Sequence, residues 1–149
     1  MSGADLTAIM ALEEAAYEFP WSRAIFHDCL NVGYACWVYE TAGVVEAYGV
    51  MSLGAGEAHI LTLVVSEPSR GQGLGKMMLS HLMIVAKQFH VHTVLLEVRP
   101  SNHAAISLYQ QLGFNEIGLR PNYYPARHGR EDALMMAFCF ADSLDQFMH

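Results

Sequence analysis

Charge is scarce in this chain. Only 15% of its residues are Asp, Glu, Lys or Arg, against 53% hydrophobic, and that balance excludes an intrinsically disordered protein. Basic residues are the rarer sign, 8 against 15 acidic ones, for a net charge of −7. A general nucleic-acid binder is thereby disfavoured and a cationic partner favoured. No apolar run of about 18 residues occurs, so no membrane span is expected. The first residues lack the basic segment and apolar stretch of a secretory leader. Cysteine is limited to Cys29, Cys36 and Cys139, odd in number and without metal-ligand spacing. Reduced core thiols in a cytoplasmic protein are the expectation. The histidines form no H-x-x-x-H and none joins the cysteines at ligand spacing, so no metal is expected. Repeats, linkers and low-complexity segments are absent too. The 149 residues therefore read as a single domain, 1–149, with a loose tail over roughly 141–149.

What is present is a clear alternation of elements. Leu6, Ile9, Met10, Leu12, Glu13 and Tyr17 follow a helical pattern. "FPWS" comes next, and Ser22 can cap a second helix through Leu30. "YACWVYE" and "VVEAYGVMSLG" read as strands joined by the hairpin signal "TAG", and "EAHILTLVVSE" as a third, buried strand. Leu74, Met78, Leu82, Val85 and Phe89 then recur at spacings of three and four, the face of a core-facing helix. "TVLLEVRP" is a further strand. Asn102 can cap a short helix from His103 to Leu112, which Gly113 closes. "FNEIGLRPNYY" and "EDALMMAFCF" finish as two strands around a polar loop. The fold class is α/β (α+β) with a mixed sheet.

Between the third strand and the long helix lies "SRGQGLGKMM". Two phosphate motifs fail on it. A G-x-G-x-x-G fingerprint would need glycine at Lys76, and a P-loop would need glycine at Arg70 and a hydroxyl at Met77. What remains is strand, glycine-rich turn and helix start. Unpaired N–H groups and the positive end of a helix dipole suit a phosphate there, and Arg70 and Lys76 add charge. A tight connection holding no ligand has the same spacing.

Arg70-Gly71-Gln72-Gly73-Leu74-Gly75 resembles the (Q/R)-x-x-G-x-(G/A) signature of the GNAT acyltransferase superfamily. The resemblance implies a mixed, mostly antiparallel central sheet of about six to seven strands flanked by about four helices. It implies that Arg70 to Lys76 hold the pyrophosphate of acetyl-coenzyme A, and that Leu63, Val64 and Val65 offer main-chain groups to its pantetheine arm. Gly71 lacks a side chain where many members carry one, and Lys76 stands where arginine is frequent, giving a point charge instead of a fork. "LLEVRPSNHAAISLYQQLGF", "NYYPARHGREDALMMA" and "FPWS" are similar to the bacterial RimI group. These are N-terminal alanine acetyltransferases of a small-subunit ribosomal protein. Carried over residue by residue, the resemblance makes Glu97 the base, Tyr109 the acid and Asn102 a coenzyme contact. It also implies a basic substrate peptide, flanked by Tyr123, Tyr124 and Trp21.

The residues themselves leave alternatives open. Glu97 is the lone acid of an apolar strand, costly there unless paired or useful, and Arg99 could pair with it. Tyr109 shares a helix face with Ile106 and Leu112, as a core tyrosine would. Trp21 could simply staple helices to the sheet. Glu131 and Asp132 could form a charged hairpin tip or read a basic peptide. Two further functions stay open: an acetyltransferase with another acceptor, such as a lysine side chain, a small amine or broader protein N-termini, and a non-catalytic acyl-coenzyme A-binding protein.

Overall fold

The computed structural model of the protein describes residues 1–140; the tail expected at 141–149 lies outside the described residues. Four α-helices occur among the described residues: α1 (Leu6–Ala16), α2 (Arg23–Asn31), α3 (Leu74–Gln88) and α4 (His103–Gln111). Six strands accompany them: β1 (Ala35–Thr41), β2 (Val44–Gly54), β3 (Glu57–Val65), β4 (Thr93–Val98), β5 (Asn115–Ala126) and β6 (Gly129–Cys139). The strands hydrogen-bond in the order β1-β2-β3-β4-β6-β5. β3 and β4 run parallel, whereas β1–β2, β4–β6 and β5–β6 are antiparallel. The mixed, mostly antiparallel sheet and its helix count are those expected.

One compact unit comprises Met1–Ser52 with Leu61–Met83. Leu6 and Ile9 of α1, Phe26 and Cys29 of α2, Tyr48 and Val50 of β2 and Val64 of β3 form its buried cluster. Each such fully buried apolar side chain stabilises the fold by roughly 1.5–3 kcal/mol. Ser22 caps α2 as expected, its Oγ accepting the Ile25 N–H at 3.3 Å. The β1–β2 turn has positive φ at both Ala42 and Gly43, the mirror-image turn geometry that matches strand twist. The charged residue buried in this unit, among the described residues, is Glu13, 1% exposed. Its carboxylate accepts the Tyr48 hydroxyl at 2.8 Å and the Trp21 backbone N–H, while burial raises its pKa.

The other unit comprises Leu53–Ile60 with the chain from Ile84. Val94, Leu96 and Val98 are the buried face of β4, with Thr93, Leu95 and Glu97 on its half-buried face. Asn102 Oδ1 caps α4 by accepting the Ala105 N–H at 3.2 Å. The helix closes at Gly113, where Phe114 N–H donates to the Tyr109 carbonyl at 3.0 Å.

Three expectations need correction. Leu74, Met78, Leu82 and Val85 are buried, but Phe89 is 65% exposed. α3 ends at Gln88; Phe89 N–H still donates to the Val85 carbonyl at 3.2 Å, but Phe89 lies past the last helical residue, next to the turn at His90, φ 59°. Cys29 is buried, but Cys139 is exposed, being the last residue of β6. The polar loop after "NYY" is shorter than expected. β5 runs on to Ala126, and Tyr124 pairs with Glu131 within the ladder.

Candidate active site

The glycine loop begins where β3 ends. Arg70 folds back, its Nε donating to the Val65 carbonyl at 3.2 Å, and Ser66 and Ser69 are joined through their hydroxyls at 2.9 Å. Gly71 and Gly73 both stand at φ 80°, a left-handed conformation that glycine adopts without strain. No heavy atom lies within 4 Å of where a Cβ would sit at either. α3 opens with Met77 N–H bonding to the Gly73 carbonyl at 3.0 Å. The N–H groups of Leu74, Gly75 and Lys76 precede that first bond and have no carbonyl one turn back in the helix. Gln72 and Lys76 are exposed. Unhindered backbone donors at a helix start, flanked by two cations, fit a diphosphate. Within the same unit Trp21 packs against the core, its ring 5.2 Å from that of Phe26.

Glu97 anchors the second constellation. Its side chain is 9% exposed. Oε2 lies 2.5 Å from His59 Nε2 and Oε1 3.7 Å from an Arg120 guanidinium nitrogen. The strand register makes the first contact. His59 stands opposite Leu95 in the parallel β3–β4 pair, and Glu97, two residues on, projects from the same face. Arg99 is not its partner. That guanidinium donates to Glu131 at 3.2 Å and to the Pro125 carbonyl at 2.9 Å, and lies 4.5 Å from the centroid of the Tyr124 ring. Arg120 lies over Tyr123 at 5.0 Å, so one guanidinium links a peptide-wall candidate to Glu97.

The acidic hairpin residues are engaged within the chain. Glu131 also accepts the Ser101 hydroxyl at 2.7 Å and the Ser101 N–H at 3.2 Å. The Ser101 hydroxyl, foremost, holds its carboxyl below the usual range. Asp132 accepts the Asn122 N–H at 3.0 Å. Tyr109 is 7% exposed, with its ring 5.8 Å from Phe114. His59 and Arg120 are the residues that sequence reasoning passed over. The signal for His59 was the alternation of β3, in which positions 59, 61, 63 and 65 share the less buried face. Among the described residues no cluster of three or more His, Cys, Asp or Glu could hold a metal, and no helix is long and apolar enough to cross a membrane.

The mixed sheet and the glycine turn at the start of α3 are compatible with an acyl-transfer fold, and residues 6–114 match the Acetyltransferase (GNAT) family. The chain belongs to that family and is an acetyltransferase, with acetyl-coenzyme A as its acetyl donor. Within the family it is similar to the [ribosomal protein bS18]-alanine N-acetyltransferases. It is 40% identical to that of Escherichia coli (strain K12) over 133 residues, covering 89% of this chain and 90% of the relative. To that of Salmonella typhimurium it is 38% identical, covering 92% and 93%. The crystal structure of the ribosomal-protein-S18-alanine N-acetyltransferase from Escherichia coli superposes with a TM-score of 0.87 at 38% identity. That likeness covers 93% of this chain and 90% of the other.

Proposed function

We propose that this protein transfers acetyl from acetyl-coenzyme A to the α-amino group of the N-terminal alanine of a ribosomal protein, bS18 foremost, in the cytoplasm. The observation that carries the reading is Glu97: a nearly buried carboxylate on the half-buried face of β4. An α-amine has a pKa of about 7.7–8.0, against about 10.4 for lysine, so one carboxylate suffices to neutralise it near pH 7.

Acetyl-coenzyme A supplies the acetyl group as a thioester. The N–H groups of Leu74, Gly75 and Lys76, with Arg70, Gly71, Gln72 and Gly73, hold its diphosphate. Leu63, Val64 and Val65 offer main-chain groups to the pantetheine, and Asn102, its Oδ1 occupied by the cap, would contribute its amide nitrogen. Glu97, through a water, takes the proton of the attacking amine, and Tyr109 gives its phenolic proton to the departing sulfur. Trp21, Tyr123 and Tyr124 supply rigid aromatic contacts to the first residues of the peptide. The net charge of −7 favours a basic tail behind them.

The test is mass spectrometry of an arginine-rich peptide beginning with a free alanine, beside a lysine peptide with a blocked N-terminus. Acetylation of the first alone is expected. Acetylation of the blocked peptide alone would replace the acceptor, and acetyl-coenzyme A binding without either product would make the protein a non-catalytic binder.

A further inference from the structure

Two protons leave the substrate ammonium when it becomes an amide, and the departing sulfur takes only one. The other must reach solvent. Glu97, which receives it under the reading above, is only 9% exposed and has two named partners. Arg120 is always charged and cannot accept a proton. His59 can. Its Nε2 lies 2.5 Å from Glu97 Oε2, and its side chain, 34% exposed, reaches the water that Glu97 scarcely touches.

We propose that His59 is the positioning and relay residue of this transferase. It fixes the Glu97 carboxylate on the half-buried face of β4, then carries away the proton that Glu97 takes from the amine. The step balances. The amine nitrogen forms its bond to the acetyl carbon as the carbon–sulfur bond breaks. Of the two protons lost, one restores the Tyr109 phenol, which has protonated the sulfur. The other passes from Glu97 to Nε2 of the Nδ1–H tautomer of His59, and the imidazolium so formed gives its Nδ1 proton to water, leaving Nε2–H to hold the Glu97 carboxylate until exchange with water restores that tautomer. Arg120 of β5 faces the other Glu97 oxygen, with Tyr123 against its far side. The inference rests on the assignment of Glu97 as base.

Substitution by glutamine separates the two duties, because Gln keeps an N–H donor toward Glu97 but cannot accept and release a proton. With the alanine peptide, His59→Gln is expected to lower kcat roughly tenfold or more while KM for acetyl-coenzyme A stays unchanged. Added imidazole should restore rate to His59→Ala in proportion to its concentration and restore nothing to Glu97→Gln. A wild-type kcat in His59→Gln, or no response of His59→Ala to imidazole, would reduce His59 to a structural partner and overturn the proposal. Failure of the underlying reading looks different. If Glu97→Gln turns over at the wild-type rate, the base assignment falls and the relay falls with it. If the wild type acetylates only the lysine peptide, the acceptor changes, and the same variants decide the relay on that peptide.

Discussion

Glu97 and Glu13 are both carboxylates shut away from water, and their partners separate their roles. Glu97 faces a histidine and an arginine; Glu13 faces a tyrosine hydroxyl and a backbone N–H. Neither Glu13 partner is a cation, so burial wins and its pKa rises from 4.5. A carboxyl raised in the folded state lends its full stability below the unfolded pKa and loses it as pH climbs through the folded one. Thermal melts should therefore show wild type losing stability relative to Glu13→Gln as pH rises from about 4.5. A pH-independent difference would contradict the assignment. Glu13→Ala should cost more, about 1–3 kcal/mol for each partner left unsatisfied, and should loosen the backbone at Trp21. Tyr109→Phe keeps the packing on Phe114 and removes the phenol. Under the acid assignment kcat falls about a hundredfold, whereas a purely core role leaves the rate intact. Glu97 was legible in the sequence because one acid in an apolar strand needs a reason. Its partners were not. His59 meets it through the register of a parallel pair, and Arg120 reaches it from β5, two places along the strand order from β4. No local pattern encodes either approach.

Caps and turns were the most legible elements, because their chemistry is local. Ser22 and Asn102 cap the helices that follow them, and Asn102→Ala should cost about 1 kcal/mol in denaturant unfolding. The glycine loop was legible as a motif, and the structure adds the reason for two of its glycines. At φ 80° with open space around the Cβ position, Gly73→Ala suffers backbone strain of roughly 1–2 kcal/mol and no clash. Its Kd for acetyl-coenzyme A, measured by calorimetry, should rise about tenfold while the fold survives. An unchanged Kd would remove the loop from the coenzyme site. The β5–β6 hairpin was the least legible element. Strand propensity suggests a polar loop after Tyr124, but Arg99 and Glu131 bind the two strands near their ends, and Arg130 donates to the Asn122 and Tyr123 carbonyls at 2.8 and 3.1 Å. Contacts made across the hairpin extend the ladder beyond what composition announces. The depressed Glu131 carboxyl adds stability above its unfolded pKa that is lost as pH falls through the folded one.

The charge of the whole molecule sets how it meets its substrate. With a net charge of −7, a cationic peptide is drawn in over a distance of about 8–10 Å at physiological salt, and less as salt rises. kcat/KM for an arginine-rich alanine peptide should fall several-fold between low and high ionic strength, whereas a neutral alanine peptide should show little change. Equal salt dependence of the two would contradict a basic acceptor. At this scale fold class and family were readable from the order of elements and a few motifs, and the match over residues 6–114 agrees. The acceptor is a finer matter, resting on few side chains. The most direct measurement is therefore made on ribosomal protein bS18 itself, with a free N-terminal alanine, incubated with acetyl-coenzyme A and either wild type or Glu97→Gln. Peptide mapping by mass spectrometry should place a single acetyl on the α-amine with wild type and almost none with the variant. Acetyl on lysine side chains, or equal product from the variant, would contradict the account.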